Sequence, residues 1–338
     1  MSDAEEIRRY EEIAHQAIVH WYAEPVELSL LKYRENAVFK VVRDGANDSV
    51  IRVHRPGYHN RLSLQSEIAW TSALNAAGIN APNYRVGLAG EHIAELVDTA
   101  GGVEQKPHFL CDVIEWVDGE QLGSITGETE ISDQAMFSTY RVLGGIAARV
   151  HNQSSAWIPP PDFKRHAWNA EGLLGDNPVW GCFWDLEALA PDQIKLLLAA
   201  RAKLRSALEQ LGEHPQYYGL IHADMLPENI LVNGNNLNLI DFDDCGFGWH
   251  LFEVATSLFF YLGEPIFDPL LEAFVAGYRQ HRPMPDEHLA HLPLFFIARG
   301  FTYLGWLHTR RATDTAMELT EDVTVAVVEL AMEFLDTP

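Results

Sequence analysis

Between residues 3 and 22, apolar side chains recur at the spacing of one helix face (Ile7, Tyr10, Ile13, Ile18). The rhythm then changes to strand-like runs at 27–31, 37–42 and 50–53. The turn-forming pairs Asp44-Gly45 and Asn47-Asp48 lie between the last two runs, which therefore read as a hairpin. Helical spacing returns at 64–77 and stops at Gly78, a common residue just past a helix end. Two more strands are predicted at 91–96 and 108–114, separated by a Gly-rich turn. Five strands with one helix among them predict a small antiparallel sheet.

After residues 115–119 the pattern becomes mainly helical, at 132–152, 191–211, 250–262, 266–281, 288–310 and 317–335. A Pro- and Trp-rich connection (Trp157, Trp168, Trp180, Trp184) joins the first two helices, and a non-helical segment, 218–247, precedes the third. A strand-rich first third followed by a helical remainder predicts a two-lobed α+β protein.

Composition narrows the class. With 338 residues, 47% hydrophobic and 21% charged, the chain can bury a large core and reads as globular. A net charge of −24 argues against a nucleic-acid partner, which would need clustered Lys and Arg. Most of that charge, −19, falls in 113–338. An acidic second lobe can attract metal ions or a cationic substrate, or can simply form a solvated surface. The acidic start lacks the apolar run of a signal peptide, and Arg299 interrupts the most apolar stretch, 292–307, which is also short for a membrane span. Cys111, Cys182 and Cys245 form neither a disulfide framework nor a metal spacing. A cytoplasmic protein with no membrane partner is expected.

The chemistry concentrates in 219–248. His222-x-Asp224 is followed by Asn229, five residues beyond the Asp, and by Asp241, twelve beyond the Asn. Apolar runs at 230–232 and 237–240 flank a turn at 233–236, so a hairpin would bring Asn229 beside Asp241, with Asp224 one short loop away. Phosphoryl transfer needs hard oxygen ligands for magnesium and one carboxylate to orient the attacking hydroxyl and take its proton. Protein kinases carry the same order and the same Asp-to-Asn spacing. Turn propensity explains each residue singly but not their joint spacing.

The segment resembles the catalytic core of the aminoglycoside phosphotransferase and choline kinase superfamily, whose members share the protein-kinase-like fold. The string IDFDDCGFGWHLFEVA at 240–255 is similar to the branch containing type II homoserine kinases, hydroxylysine kinases and the bacterial stress-response kinase. The strand at 35–41, IEWVDGEQL at 114–122 and LGGIAARVHN at 143–152 extend the resemblance over most of the chain. It implies a bilobal fold, with a nucleotide lobe at 1–113, a hinge at 114–121 and a catalytic and substrate lobe at 122–338. It also implies ATP and Mg2+ as cofactors, Asp224 as base, and Asn229 and Asp241 as magnesium ligands, with His222 bracing the loop.

On the nucleotide side, Arg52 stands where such folds carry a phosphate-holding lysine, with Lys40 as the fallback. Glu67 is its candidate partner, or else a surface helix charge. Asn36 would contact phosphates in place of a Gly-rich loop, and Glu115 and Val117 would offer backbone groups to adenine. Of Asp243 and Asp244, one, with Asp243 the choice, is a candidate substrate or second-metal contact, or both are exposed turn residues. His151 is expected to cap or pack its helix end, and the four tryptophans to line an acceptor pocket or to fill core. The Asp241-x-Asp243 strand end also resembles a dehalogenase-type phosphatase motif, but no lysine follows Lys203 to serve that chemistry. A non-catalytic kinase-fold binding protein finds support only in Arg52. The expected acceptor is the hydroxyl of a small amino alcohol, hydroxy amino acid or aminoglycoside-like compound; a protein Ser/Thr is the alternative. Oligomeric state and the choice between ATP and GTP stay open.

Overall fold

The structure, a computed structural model, describes residues 3–33, 36–97, 107–123 and 132–337. Arg34 and Glu35 of the proposed phosphate-covering segment, and the Gly-rich turn before residue 107, lie outside the described residues. The chain opens with helix α1 (Asp3–Ala17), strands β1 (Glu27–Tyr33), β2 (Asn36–Arg43) and β3 (Ala46–His54), helix α2 (Arg61–Ala76), and strands β4 (Ile93–Val97), β5 (His108–Glu115) and β6 (Glu120–Gln121). Next come α3 (Asp133–Ala156), β7 (Ala167–Trp168), α4 (Ala170–Leu174), α5 (Pro191–Leu211), β8 (Tyr218–Ile221), β9 (Ile230–Asn233), β10 (Asn236–Leu239) and β11 (Gly246–Trp249). Five helices follow: α6 (His250–Leu258), α7 (Phe267–Arg279), α8 (Asp286–Leu289), α9 (Leu292–Thr309) and α10 (Asp314–Asp336).

Two compact units result. The first gathers Met1–Glu120, Pro159–Lys164 and Leu231–Ile240; the second holds Gln121–Ile158, Arg165–Ile230 and Asp241–Pro338. Two later segments rejoin the first unit through backbone bonds: Leu239 N–H donates to Asn80 O at 2.9 Å, and Lys164 N–H to Ser66 Oγ at 2.7 Å.

In the first unit an antiparallel sheet runs in the order β1-β2-β3-β5-β4. One face packs under α1, where Tyr10, Ile13, Ala14 and Ala17 meet Phe39, Val41, Ile51, Val53 and Cys111. Helix α2 begins earlier than apolar spacing suggested because its start is set by a cap. Asn60 Oδ1 accepts from Ser63 N–H at 2.9 Å, and Ser63 Oγ accepts from Asn60 N–H at 3.1 Å. The expected 233–236 turn is present, with β9 and β10 neighbours in a small sheet. A two-residue connection makes the pair antiparallel.

In the second unit β11 pairs antiparallel with β8 and parallel with β7. Gly246 lies opposite Ile221, so the segment leaving β8 at His222 and the segment entering β11 at Cys245 emerge at one end of this sheet. Helix α9 is buried around nearly its whole circumference from Phe295 to Leu307. The single helix expected at 288–310 is instead two, α8 and α9. Pro293 lacks a backbone N–H, which suits the first turn of a new helix and not the interior of a continuous one. Helices α3 and α7 approach closely at two glycines. A Cβ on Gly144 would lie 2.0 Å from Phe274 O, and one on Gly277 would lie 1.9 Å from Arg141 O. No helix among the described residues is long and apolar enough to cross a membrane.

Candidate active site

The segment after β8 is tied to α6 and braced by its own bonds. Buried His222 donates its backbone N–H to Glu253 Oε2 on α6 at 2.8 Å, and its Nδ1 accepts the Asp224 N–H at 3.3 Å. Between them, buried Ala223 adopts φ 66°, a left-handed conformation that a residue with a Cβ rarely takes. Ser257 Oγ donates to Met225 O at 2.6 Å, a second tie to α6. Pro227–Asn229 closes the segment as a single 3-10 turn, with Asn229 N–H donating to Leu226 O at 2.9 Å.

This turn brings Asn229 back to Asp224. Asn229 Nδ2 donates to Asp224 O at 2.8 Å and to Asp224 Oδ2 at 2.9 Å. The other carboxylate oxygen, Oδ1, accepts from Arg299 Nη2 at 3.2 Å. The Arg299 side chain is 0% exposed, whereas that of Asp224 is 22% exposed. The carboxylate therefore faces an opening while the cation that holds it does not. Arg299 also donates through Nη1 to Ala223 O at 3.1 Å and through Nη2 to Tyr303 OH at 3.1 Å. Burial opposes its charge, but the oxygens of Tyr303 and Asp224 outweigh that cost and keep its pKa above the ordinary arginine value.

Asp241 follows β10 by two residues and also takes a left-handed conformation, φ 64°. With its amide nitrogen turned to Asp224, Asn229 is left with Oδ1 as a hard oxygen donor, and the Asp241 carboxylate supplies another. That donor chemistry fits magnesium, which takes few protein oxygens. Among the described residues no group of three His, Cys, Asp or Glu side chains forms a metal cage. After Asp241 the chain is anchored by Arg165, which donates to Cys245 O at 2.6 Å and to the backbone oxygen of Asp243. Trp180 Nε1 donates to Asp244 Oδ1 and Trp168 Nε1 to Asp244 O, each at 2.9 Å. Asp243 is 2% exposed, so the exposed-turn alternative does not hold. Buried Trp168 and Trp180 act as anchors for this segment.

In the first unit, Arg52 on β3 lies in register with Asp112 on β5. The carboxylate accepts Arg52 Nε and Nη2, both at 2.8 Å, and also lies 2.7 Å from His54 Nε2. Glu67 Oε1 is 3.0 Å from Arg52 Nη2, and Tyr84 OH accepts from the same nitrogen at 2.9 Å. Glu67 is fully buried, which overturns its reading as a surface charge. Burial works against the Arg52 charge, but Asp112, Tyr84 and Glu67 raise its pKa well above the ordinary value. Burial pushes the Asp112 carboxyl up, while Arg52 and His54 outweigh it and hold it well below the carboxylate range. Buried Asn36 opens β2. Glu115 ends β5, its N–H donating to Asn83 O at 2.9 Å, and Val117 lies two residues further on.

Residues 30–290 match the sequence profile of the phosphotransferase enzyme family, APH. The chain belongs to that family. The amicoumacin kinase of Bacillus subtilis (strain 168) is similar, 22% identical over 317 residues that cover 90% of this chain and 87% of that one. Over 49% of this chain and 52% of its own length, a homoserine kinase of Rhodospirillum rubrum is 29% identical. Among solved structures, a microcompartment-associated aminopropanol kinase superposes with a TM-score of 0.83 at 30% identity, covering 97% of this chain and 98% of its own. The fold is that of the kinase-like phosphotransferases, and the protein is a phosphotransferase acting on a hydroxyl group.

Sequence reasoning missed Arg299, Asp112 and Glu253, and it offered Asp244 with Asp243 as a substrate or second-metal contact or an exposed turn residue, whereas Asp244 is buried and accepts from Trp180. The first three are lone charged residues inside apolar runs, LFFIARGFTYLGWL, FLCDVI and HLFEVATSL. Such a residue is seldom buried unless paired, so each was a signal that a partner waits elsewhere in the chain. His151 does more than pack a helix end. Its Nδ1 meets Tyr278 OH at 2.9 Å, its ring stacks on His250 at 4.1 Å, and its Nε2 is 3.7 Å from Glu253 Oε2.

Proposed function

We propose that this phosphotransferase moves the γ-phosphoryl group of ATP to the hydroxyl of a small amine-bearing molecule, with Asp224 as the general base. The observation that carries this reading is the Asp224 carboxylate, partly exposed and bonded at both oxygens, by Asn229 Nδ2 and Arg299 Nη2. An ionised carboxylate can accept the acceptor hydroxyl's proton as its oxygen attacks phosphorus and the bond from phosphorus to the ADP oxygen breaks. Asn229 Oδ1 and the Asp241 carboxylate would hold magnesium. When bound, the ion neutralises the phosphate oxygens and fixes their geometry. For Arg52 we assign nucleotide phosphate to Nη1, because Nε and Nη2 serve Asp112, Glu67 and Tyr84. Asn36 is assigned to phosphate, the backbone of Glu115 and Val117 to adenine, and Asp243 to a role beside Asp241.

The acceptor class draws on relatives. Aminopropanol and homoserine, named in two of them, each join an amine to a hydroxyl, and the acidic charge of 113–338 suits a cationic molecule. Supporting the nucleotide and a divalent ion is the solved amicoumacin kinase complex with AMP-PNP and Ca2+. The test is ADP release with Mg-ATP across aminopropanol, homoserine, choline, aminoglycosides and a protein acceptor. Turnover confined to small amines is expected, and turnover on the protein alone would overturn the acceptor class. Asp224→Asn is expected to lose about 10³-fold in kcat while nucleotide Kd changes little. Wild-type turnover in that variant would remove Asp224 from the mechanism.

A further inference from the structure

We infer that Arg299 is a positioning residue for phosphoryl transfer: from inside the second unit its guanidinium sets the orientation of the Asp224 carboxylate. The inference rests on the reading of Asp224 as base. A buried guanidinium is costly unless paired. Here the cation is 0% exposed and the anion 22%, so the buried charge is directed at the one end of the pair that faces an opening. Among the described residues, Asp224 is the one carboxylate within ion-pair distance of Arg299. The same side chain holds two consecutive groups, Asp224 Oδ1 at 3.2 Å and Ala223 O at 3.1 Å, the latter on the residue with φ 66°. Arg299 thus secures the strained backbone and the carboxylate it presents.

The guanidinium is itself immobilised. Its carbon lies 4.3 Å from the ring centre of Tyr303, 4.7 Å from that of Trp180 and 5.5 Å from that of Phe252. Tyr303 OH accepts from Nη2. Trp180 meanwhile spends its Nε1 on Asp244, so the ring that stacks on Arg299 also ties down the segment after Asp241. A flexible ammonium could supply the charge, but not two bonds in a fixed fork between flat rings.

The experiment compares wild type with Arg299→Met, Arg299→Lys, Tyr303→Phe, Asp224→Asn and Asp224→Asn/Arg299→Met. Steady-state kinetics use Mg-ATP and aminopropanol, replaced by any panel acceptor that turns over faster. Nucleotide Kd and thermal midpoints are measured alongside. Arg299→Met is expected to lower kcat about 100-fold, the cost of a misplaced reacting group, with both KM values and nucleotide Kd within about threefold. Arg299→Lys should recover about tenfold of that loss by restoring the charge without the fork. The double variant should be no slower than Asp224→Asn, because Arg299 acts through Asp224.

The inference is overturned if Arg299→Met keeps kcat within about threefold of wild type, a change too small for lost positioning. It is equally overturned if kcat, KM and Kd deteriorate together with no benefit from lysine, or if the two single losses multiply. Should Arg299→Met fail to fold, Tyr303→Phe decides. A several-fold lower kcat at unchanged KM supports the inference, and an unchanged kcat overturns it. If Asp224→Asn keeps wild-type turnover, the reading of Asp224 fails and this inference with it. A full loss in Asp224→Asn beside an indifferent Arg299→Met sinks only the inference.

Discussion

Arg52 and Arg299 are both buried, yet their surroundings balance them differently. Arg299 faces one carboxylate that is partly open, whereas Arg52 faces two, Glu67 and Asp112, neither of which is exposed. The Arg52 cluster therefore sets two buried acidic side chains against one guanidinium, with His54 Nε2 beside Asp112 and Tyr84 OH donating to Glu67. Replacing Arg52 with Met would strand two buried carboxylates together. A loss of about 3–5 kcal/mol is expected, read as a lower midpoint in urea unfolding. Arg52→Lys keeps the charge but not the two-pronged bond to Asp112, and should fall between wild type and Met. Stability equal to wild type in Arg52→Met would mean that the cluster carries no net stabilisation.

Among the elements, α3 and α7 approach closely, and their closeness depends on missing side chains. The atoms that a Cβ at Gly277 or Gly144 would strike are backbone carbonyls, which cannot rotate aside. Gly277→Ala must separate the helices, and a loss of about 1–3 kcal/mol or more is expected from overpacking. Gly145→Ala is the control, since its Cβ would meet the His281 ring at 3.5 Å, an ordinary contact. There the gain in helix propensity should leave the melting temperature unchanged or slightly raised. Equal effects at the two positions would contradict the packing argument. Apolar spacing alone made the extent of most helices legible, because the 3.6-residue period is local. It was silent on this contact, since two glycines 133 residues apart (144 and 277) carry no mutual mark in the sequence.

For the whole molecule, the interior of the second unit sets a pH limit. Burial pushes the pKa values of His151 and His250 well below the ordinary 6.5, so both are neutral when folded. Below 6.5 the unfolded chain binds protons that the folded chain refuses, and stability falls as pH drops through that window. Glu253 acts in the opposite sense: burial raises its pKa, adding stability present below the ordinary 4.5 and lost as pH rises through its folded value. Burial depresses His288 as well, to about 4, so three histidines act in the same sense, and the melting temperature should decline from pH 7 to pH 5 and decline less in His250→Asn. An identical decline in that variant would place the titration elsewhere. By itself the sequence determined the order of elements, the kinase-like outline and the spacing of Asp224, Asn229 and Asp241, because periodicity, turn chemistry and motif spacing are written over short stretches. Only the tertiary structure decided that Arg299 reaches back 75 residues to Asp224, that Asp112 and Glu67 share Arg52, that Asp243 is buried, and that 159–164 and 231–240 rejoin the first unit. Burial and long-range pairing arise when distant segments exclude water together, and no local pattern encodes which charged residue will meet which.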